Sequence, residues 1–334
     1  MSTCRRCHRK VWSRANLAFG MVLLGTVLLL AVSSAAVVGN GPRRGRGLTP
    51  AGSSAVPPRI ALRIKPSLAG EGIWRPGSFR WQGSAPVLVT SFQPDPTDPS
   101  IVAYAAWIDH VRTELALYPG LSEPPTVAVR GSGEVPSGER WRLLATFNGG
   151  FKANAGAGGF LVNGHADEPL QDGLGTLVEH RDGRVDIVSW HGPRSLDYLV
   201  LARQNLPLIV NGGRPNPSLN DSAQWGATLG GVAAVWRSSV GIDRHGNLLY
   251  AAADSQTAPS LAALMIEIGA VRALELDINP EWPSFIAYGR RGGGAPTKLV
   301  PNNRQSSERW LVPDSRDFFA VYTSGGGGPS VPFH

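Results

Sequence analysis

The sequence predicts an α+β domain built on a large, mainly antiparallel sheet with a few packed helices. Short apolar runs bounded by Gly, Pro, Asn and Asp recur after residue 60, which is typical of short strands joined by turns. Two tight-turn signals, Asp182-Gly183 and His245-Gly246-Asn247, indicate hairpins. Only two stretches show helical periodicity. Strands joined by short turns pair antiparallel, so the pattern favours this fold class.

Strand candidates share a short apolar or β-branched run that ends near a turn-forming residue. They are Val87–Thr90, Thr126–Val129, Leu143–Phe147, Gly175–Val178, Val185–Val188, Leu208–Val210, Val232–Trp236, Ser239–Ile242, Leu248–Tyr250, Ala273–Leu276 and Phe318–Tyr322.

Two segments are predicted to be helices. Ser100–Tyr118 carries Ile, Tyr, Trp, Val and Leu at helical spacing and stops at a Pro-Gly pair. Ser260–Ile268 is apolar nearly all round and is followed by Gly269, which predicts a buried helix with a glycine at its end.

The N-terminal region predicts export and membrane attachment. Leu17–Val38 contains no charged residue over 22 positions, long enough to cross about 30 Å of hydrocarbon at about 1.5 Å per residue. Five Lys or Arg residues precede it and three follow it before residue 47. The positive-inside rule therefore makes residues 1–16 a cytoplasmic basic head and residues 17–38 a transmembrane signal-anchor.

Beyond the predicted anchor, residues 39–60 are rich in Gly, Pro, Arg and Ser and are interpreted as a flexible linker. Residues 61–334 are then expected to form a single extracytoplasmic domain of a single-pass cell-membrane protein. A cleaved signal peptide remains an alternative, because Ser34-Ala35-Ala36 is a small-residue stretch that a signal peptidase could accept.

The net charge of +7 arises from the N-terminal region. Eight basic residues precede residue 47 and no acidic residue occurs before Glu71, so the rest of the chain has a net charge of −1. A nearly neutral domain argues against nucleic-acid binding. Cys4 and Cys7, the only cysteines, precede the predicted anchor, and one Cys-x-x-Cys pair is a weak zinc signal.

Four motifs could carry chemistry. Asn148-Gly149-Gly150-Phe151 follows an apolar run, and its glycines would let a ligand approach the backbone. Asn211-Gly212-Gly213 follows a second run, so either the two turns share a site or both are ordinary hairpin turns. Arg237 begins a third run and could hold a phosphate through two hydrogen bonds, or be a surface residue on an edge strand.

The fourth motif holds two carboxylates. Glu275 and Asp277 lie two residues apart on an apolar run, so a regular strand would project both from one face. Paired carboxylates are what hydrolysis of a glycosidic bond requires. A salt-bridged structural pair is the alternative. Trp282, which follows closely, could stack on a sugar ring.

Taken in order, these motifs resemble the phosphodiester glycosidase family. That family has an N-G-G-F turn and a G…-[ND]-G hairpin, a second strand ending in N-G, an R-[ST]-x-x-G-I strand, and a helix that leads into an N-L-D-G-G strand. The matching segments here are Asn148–Phe151, Gly159–Gly164, Asn211–Gly212, Arg237–Ile242 and Leu261–Asp277.

Two departures bear on activity. The family's Asn-Leu-Asp-Gly-Gly becomes Glu275-Leu276-Asp277-Ile278-Asn279, so only the Asp is kept and the glycines are lost. Lys152 also replaces the last Phe of the family's N-G-G-F-F turn. The substrate or the activity is therefore expected to differ from those typical of the family.

The resemblance implies an extracytoplasmic hydrolase of sugar-1-phosphodiester bonds in an envelope glycan. Asp277 would be the nucleophile or electrostatic stabiliser and Glu275 its acid/base partner. Substrate would be bound by the residues of the turn motifs and their neighbours, namely Asn148, Gly149, Gly150, Asn211, Gly212, Arg237 and Trp282.

Other outcomes stay open. The lost glycines favour a membrane-tethered glycan-binding protein on a degenerate glycosidase fold, and a scaffold without a small-molecule site is a third reading. No cofactor is required by the pattern. A Ca²⁺ or Mg²⁺ ion held by Asp243, Asp254 and Asp277 is conceivable, because oxygen-only sites leave little trace in a sequence.

Overall fold

Antiparallel strands dominate the fold. The computed structural model describes residues 56–127, 130–192, 196–301 and 305–325, all within one compact unit, Ala51–His334. Most of the described strands are short, and the longest cross the middle of the largest sheet.

The described strands, in chain order, are β1 (Arg75–Pro76), β2 (Val87–Phe92), β3 (Ala103–Ile108), β4 (Thr113–Tyr118), β5 (Leu143–Asn148), β6 (Phe160–Val162), β7 (His165–Glu168), β8 (Gly175–His180), β9 (Val185–Ser189), β10 (Leu199–Gln204), β11 (Leu208–Asn211), β12 (Arg214–Pro215), β13 (Val235–Asp243), β14 (Leu248–Gln256), β15 (Ala270–Ile278), β16 (Phe285–Arg290), β17 (Gly294–Lys298) and β18 (Phe318–Thr323). The described helices are α1 (Ala258–Glu267) and the short 3₁₀ turns Ser137–Arg142, Ala153–Ala155, Ser222–Gln224 and Leu229–Gly231.

Three sheets form the domain. The first has eight strands in the order β1-β2-β3-β14-β13-β15-β11-β12, the second five in the order β7-β6-β10-β8-β9, and the third five in the order β17-β16-β5-β18-β4. Neighbouring strands pair antiparallel. The expected α+β domain dominated by antiparallel sheet is therefore confirmed, with three sheets in place of one.

The first sheet is buried on both faces. α1 packs on one face, where Leu261 and Met265 join a cluster with Ala251 and Ala273. The other face packs against the second and third sheets around Phe147 and similar residues. Burial on both faces explains why the central strands are apolar without strict alternation.

The predicted helix Ser260–Ile268 is confirmed as α1. Thr257 caps it, because its side chain accepts a hydrogen bond from the amide of Ser260 and the Ser260 hydroxyl accepts one from the amide of Thr257. Gly269, at φ 101°, ends it.

The predicted helix Ser100–Tyr118 is wrong: this segment forms β3 and β4, joined by a turn at Asp109–Arg112. Its apolar residues are mostly β-branched or aromatic, which favours strands. In β3, Ala106 and Ile108 face one core cluster and Trp107 faces the other. Because β3 is buried on both faces, apolar residues occupy nearly all of its positions, and this run was mistaken for the apolar face of a helix.

Among the strand predictions, most are confirmed with small shifts in their ends. Val232–Trp236 and Ser239–Ile242 are one strand, β13, and residues 232–234 lie outside it. Thr126 and Val127 are not in a strand, and the rest of that prediction lies outside the described residues. Both predicted hairpins, β8–β9 and β13–β14, are present.

The basic head, the signal-anchor and most of the linker lie outside the described residues and stay predictions. The last linker residues are described, and Ile60 is buried and hydrogen-bonded to Gly72. Across the described part of the chain, no helix has the length and apolarity needed to cross a membrane.

Candidate active site

Strand ends from all three sheets meet at one place. β5 ends at Asn148, β15 reaches its last residues at Asp277, and Asn205 follows β10. The segment before β18 contributes Arg316 and Asp317. The amide of Asp277 donates to the carbonyl of the residue after Asn148 at 3.1 Å, which joins the first sheet to the third.

Asp277 is the carboxylate with some access to solvent in this cluster. It is 7% exposed, whereas Asp317 is 1% exposed. Arg316 forms an ion pair with Asp277 and also donates to the carbonyl of Gly150 at 2.8 Å. Burial raises the pKa of Asp277 to about 7, while Arg316 limits the rise.

Arg203 and Asp317 form a second, fully buried ion pair with a nitrogen–oxygen distance of 2.8 Å. Arg203 also donates to the carbonyl of Phe151 at 2.8 Å, which fixes the turn after β5. A Cβ on Gly149 would lie 2.0 Å from a carboxylate oxygen of Asp317. Glycine at this position is therefore needed for the close approach of the two segments.

Asn148 supports the site from within. Its amide nitrogen donates to the Gly149 carbonyl and to Ser238, each at 3.0 Å. Its oxygen accepts from Tyr250 at 3.0 Å and from the amide of Ser284 at 2.9 Å. All four hydrogen-bonding capacities of the side chain are used, so the predicted substrate-binding role of Asn148 is replaced by a structural one.

Glu275 and Asp277 do not form the expected pair on one face of a strand. Ser239 lies opposite Glu275, but Arg237 lies opposite Ile278, so β15 carries an extra residue between these two pairings. Such a β-bulge interrupts the alternation of side chains. The prediction failed because it assumed a regular strand.

The two carboxylates consequently meet different arginines. Glu275 is fully buried and pairs with Arg237 at 2.5 Å. Arg237 also donates to the carbonyl of Trp225, a residue of the core cluster around α1. Burial raises the pKa of Glu275 to about 7, and Arg237 opposes the rise.

Arg237 is therefore a poor candidate for holding a substrate phosphate. It is 4% exposed, and its Nε donates to the carbonyl of Gln256 at 2.9 Å in addition to the two bonds already described. Arg237 is therefore not available for the predicted phosphate contact. Its buried ion pair with Glu275 instead links β13 to β15.

Asn211 and Gly212 lie away from the cluster. Asn211 pairs with Arg214 across a two-residue turn, with Gly212 at φ 59° and Gly213 at φ 71°. This is the geometry of a tight hairpin. Asn211 also lies opposite Arg272, five residues before Asp277 and about 16 Å from it along the strand. The second Asn-Gly-Gly motif is an ordinary turn.

Trp282 lies beside the ion pair of Arg316 with Asp277, and Lys152 lies on the other side of the contact with Trp282. The guanidinium carbon of Arg316 lies 5.0 Å from the centre of the half-buried Trp282 ring, and the Lys152 ammonium lies 5.9 Å from it. Lys152 is exposed. An aromatic ring at these distances attracts cations, so Trp282 contacts both the Lys152 ammonium and the Arg316 guanidinium, which is paired with Asp277.

Arg316 keeps a further donor. Its Nε is buried and finds no hydrogen-bond partner within the described residues. A buried unpaired donor is costly unless a ligand or water satisfies it. This nitrogen is enclosed by the protein, so the accessible positive charge at the rim is the exposed Lys152 ammonium.

The suggested cation site does not form among the described residues. Asp243 accepts hydrogen bonds from His245 and Asn247 in its own hairpin, Asp254 is exposed, and Asp277 pairs with Arg316. No group of three or more His, Cys, Asp or Glu side chains suited to a metal occurs in this part of the chain.

Four residues of the cluster were missed from sequence: Arg203, Asn205, Arg316 and Asp317. Each lies within or beside an apolar strand, the same signal that drew attention to Glu275. A polar residue on an otherwise apolar run is the pattern that could have identified them.

Comparison with known proteins identifies a family that part of the chain resembles. Residues 142–277 match the family model described as phosphodiester glycosidase. The matched range starts just before β5 and ends at Asp277, so it contains the turn after Asn148 and the catalytic-strand candidate β15. Over these residues, about two fifths of its length, the chain is therefore similar to the phosphodiester glycosidases. The resemblance drawn from the motifs is confirmed.

The solved structures found to be similar to this chain have low sequence identity with it. The auto-inhibited catalytic domain of zebrafish N-acetylglucosamine-1-phosphodiester alpha-N-acetylglucosaminidase has 16% identity and a TM-score of 0.47, with 73% of this chain and 86% of that one covered. A hypothetical protein from Synechocystis has 12% identity and a TM-score of 0.41, with 72% and 63% covered. A putative exported protein from Burkholderia pseudomallei has 12% identity and a TM-score of 0.41, with 66% and 74% covered. No curated protein matches the sequence significantly.

Proposed function

We propose that the protein hydrolyses sugar-1-phosphodiester bonds of an envelope glycan outside the cytoplasm. The observation that carries this proposal is Asp277: a slightly exposed carboxylate with a pKa near 7, paired with Arg316, whose guanidinium contacts the same Trp282 ring as the exposed Lys152. A carboxylate paired with one cation, with a second cation on the neighbouring ring, suits a substrate that carries negative charge close to its reacting carbon.

In the proposed reaction, water replaces the phosphate at the anomeric carbon. The bond between that carbon and the bridging oxygen breaks, the oxygen stays with the phosphate, and the products are a free sugar and a phosphomonoester. The proton lost by the attacking water passes to the released phosphomonoester dianion or to solvent, since the second pKa of the phosphate is about 6. Asp277 in its ionised form attacks or stabilises the oxocarbenium-like carbon. Arg316 and Lys152 bind the phosphate oxygens.

A single accessible carboxylate is sufficient for this chemistry. A sugar leaving group must be protonated by a second carboxylic acid, but a phosphomonoester leaves as a stable anion, with a second pKa of about 6. The separation of Glu275 from Asp277 is therefore compatible with turnover. Glu275 becomes a positioning residue that holds Arg237 and the bulged end of β15.

The test uses GlcNAc-1-phosphodiester model substrates of both anomeric forms, with release of free sugar as the readout. Wild type should turn over one form, and Asp277→Asn should lower kcat/KM by about 100-fold or more. Asp221→Asn, at an exposed position, should match wild type. Equal rates for wild type and Asp277→Asn would refute the assignment.

Glycan binding without hydrolysis is the second candidate. The observation in its favour is the direct ion pair of Asp277 with Arg316, which restricts the carboxylate that would have to react. Binding to a sugar-1-phosphodiester panel by wild type, with no sugar released from any member and binding lost in Lys152→Met, would select this alternative.

A further inference from the structure

A charge-free loop with exposed apolar side chains lies beside the candidate active site. Residues 226–234, here called the apolar loop, connect a buried tryptophan to β13 and contain no charged residue. Leu229 is 62% exposed and Val232 is 55% exposed. Among the described residues, only Val56 exposes a larger fraction of a large apolar side chain than Leu229. Neighbouring exposed apolar residues, unlike isolated ones, mark contact sites.

Both ends of the apolar loop are fixed at the candidate active site. A Cβ on Gly226 would lie 2.6 Å from the ring of Phe151 and 3.1 Å from the Ile278 side chain. Val235, which follows the loop, is buried in one cluster with the same two residues. Phe151 belongs to the turn after β5, and Ile278 directly follows Asp277. The loop therefore leaves the site and returns to it.

Asn279 joins the apolar loop to the segment that carries Trp282. The amide of Leu229 donates to the side-chain oxygen of Asn279 at 3.0 Å, and the amide of Trp282 donates to the Asn279 carbonyl at 3.3 Å. Asn279 is two residues from Asp277, so their Cα atoms are at most about 7 Å apart. The loop thus adjoins the segment whose ring contacts the two cations of the site.

A tight turn places the two apolar side chains at the tip of the loop. The amide of Gly231 donates to the carbonyl of Thr228 at 3.3 Å, and Gly230 has a φ of 71°. A Cβ on Gly230 would meet only a methyl group of Val232, at 4.0 Å. Packing against the rest of the domain therefore does not cover the tip, and Leu229 and Val232 are accessible to a ligand.

We propose that the apolar loop binds the alcohol portion of the substrate and that this portion is a long alkyl or isoprenoid chain, so that the substrate is a lipid-linked sugar-1-phosphodiester. This inference rests on the proposed function, which places the sugar at Asp277 and the phosphate at the two cations. The phosphate of a phosphodiester lies between the sugar and the second esterified group. That group therefore extends past the cations, where the Trp282 segment and the apolar loop adjoin.

The composition of the loop favours a lipid over a sugar or a peptide as this second group. Its only polar side chain is that of the half-buried Thr228, whereas sugars and peptides need hydrogen-bonding partners. An apolar chain needs none, and its contact with Leu229 and Val232 removes apolar surface from water. The predicted membrane anchor is consistent with a substrate that resides in a membrane.

The test compares the methyl and octyl esters of GlcNAc 1-phosphate, with the octyl ester kept below its micelle concentration and full-length protein as the enzyme. Burial of each methylene raises affinity about fourfold, so contact with two of them gives about tenfold. Wild type should therefore have a kcat/KM about tenfold or more higher for the octyl ester. The difference should lie mainly in KM, because the chain takes no part in the reaction.

The decisive variant replaces both exposed side chains by serine. Leu229→Ser combined with Val232→Ser should lower kcat/KM for the octyl ester to about the value for the methyl ester and leave hydrolysis of the methyl ester unchanged. Ile73→Ser is the matched control, because Ile73 is 43% exposed and precedes β1 at the opposite side of the first sheet. Five strand spacings, about 24 Å, separate β1 from β15, so this control should keep the preference for the octyl ester.

Three results would overturn the inference. The first is equal kcat/KM of wild type for the two esters, and the second is an octyl preference that persists in the double variant. The third is an equal loss for both esters in the double variant, which would show that the loop supports the site as a whole. A preference lost together with a change in oligomeric state, measured by sedimentation, would assign the loop to contact with a second copy and would also overturn it.

Failure of the proposed function gives a different result. Neither ester would then be hydrolysed, and calorimetric titration with the same two esters decides the inference separately. Binding of the octyl ester about tenfold or more tighter than the methyl ester by wild type, and equal binding by the double variant, would support the lipid contact. Equal affinity of wild type for both esters would overturn it.

Discussion

At the scale of single residues, the burial and ion-pair partner of each charged group in the site distinguish a candidate catalytic residue from a structural one. Asp277 and Glu275 have similar neighbours in sequence and each pairs with an arginine, but only Asp277 has any exposure. Asp317 is locked by Arg203. Removing one partner of such a buried pair costs about 3–5 kcal/mol, so these arginines hold the strand ends together as well as shaping the site.

Glu179 provides a test of buried charge outside the site. It is 7% exposed, and one of its carboxylate oxygens has no described partner. Burial, and then the nearby Glu114, raise its pKa to about 8. The folded state thus binds the proton more tightly than the unfolded state. Its stabilising contribution is complete below about pH 4.5 and is lost as the pH rises through 8.

Replacing Glu179 by Gln should therefore flatten the decline in the free energy of unfolding between pH 5 and pH 8.5. The gain over wild type at pH 8.5 should be about 2 kcal/mol or more, measured by urea denaturation. Glu308→Gln, at an exposed position, should reproduce the wild-type decline. An unchanged slope in Glu179→Gln would contradict the assignment of a raised pKa.

At the scale of elements, the turn after β5 is the part of the site that tolerates least change. Gly149→Ala would place a methyl group against the Asp317 carboxylate and force it away from Arg203. We expect a loss of about 2 kcal/mol or more in the free energy of unfolding, measured by denaturation. Gly138→Ala is the control, because its Cβ would meet open space.

Elements with local sequence signals could be predicted, whereas elements that depend on long-range pairing could not. α1 was predictable because its apolar run ends at Gly269, and the hairpin after Asp243 because its turn residues are local signals. The segment of β3 and β4 was mistaken for a helix because a strand buried on both faces loses its alternation. The bulge at Asp277 arises from pairing with β13, which no local pattern reveals.

The same limit applied to the site. The sequence located Asp277 and the Gly149–Gly150 turn, since both interrupt apolar runs. It could not separate Glu275 from Asp277, or show that Asn211 lies at the other end of β15. Arg316 reaches the cluster through β18, whose pairing with β5 is a long-range contact.

At the scale of the whole molecule, the predicted anchor implies that the candidate site lies outside the cytoplasm. Cys4 and Cys7 are the only cysteines and precede the predicted span. In intact cells, a membrane-impermeant maleimide should leave them unlabelled, and it should label a cysteine placed at the exposed position 221 by Asp221→Cys. After permeabilisation, both native cysteines should react.

Two outcomes would contradict this topology. Labelling of Cys4 and Cys7 in intact cells would reverse the orientation. Their absence from the mature protein, with no native cysteine labelled even after permeabilisation, would show cleavage of a signal peptide instead of a retained anchor.

The most direct test compares Asp277→Asn with Glu275→Gln in one assay of sugar-1-phosphodiester hydrolysis, with rates expressed per folded protein. We propose that Asp277 alone carries the chemistry and that Glu275 has a supporting role. Asp277→Asn should therefore lose about 100-fold or more in kcat/KM, while Glu275→Gln should lose stability but stay within about tenfold of wild type. Equal losses in turnover for both variants would show that the two carboxylates act as a pair.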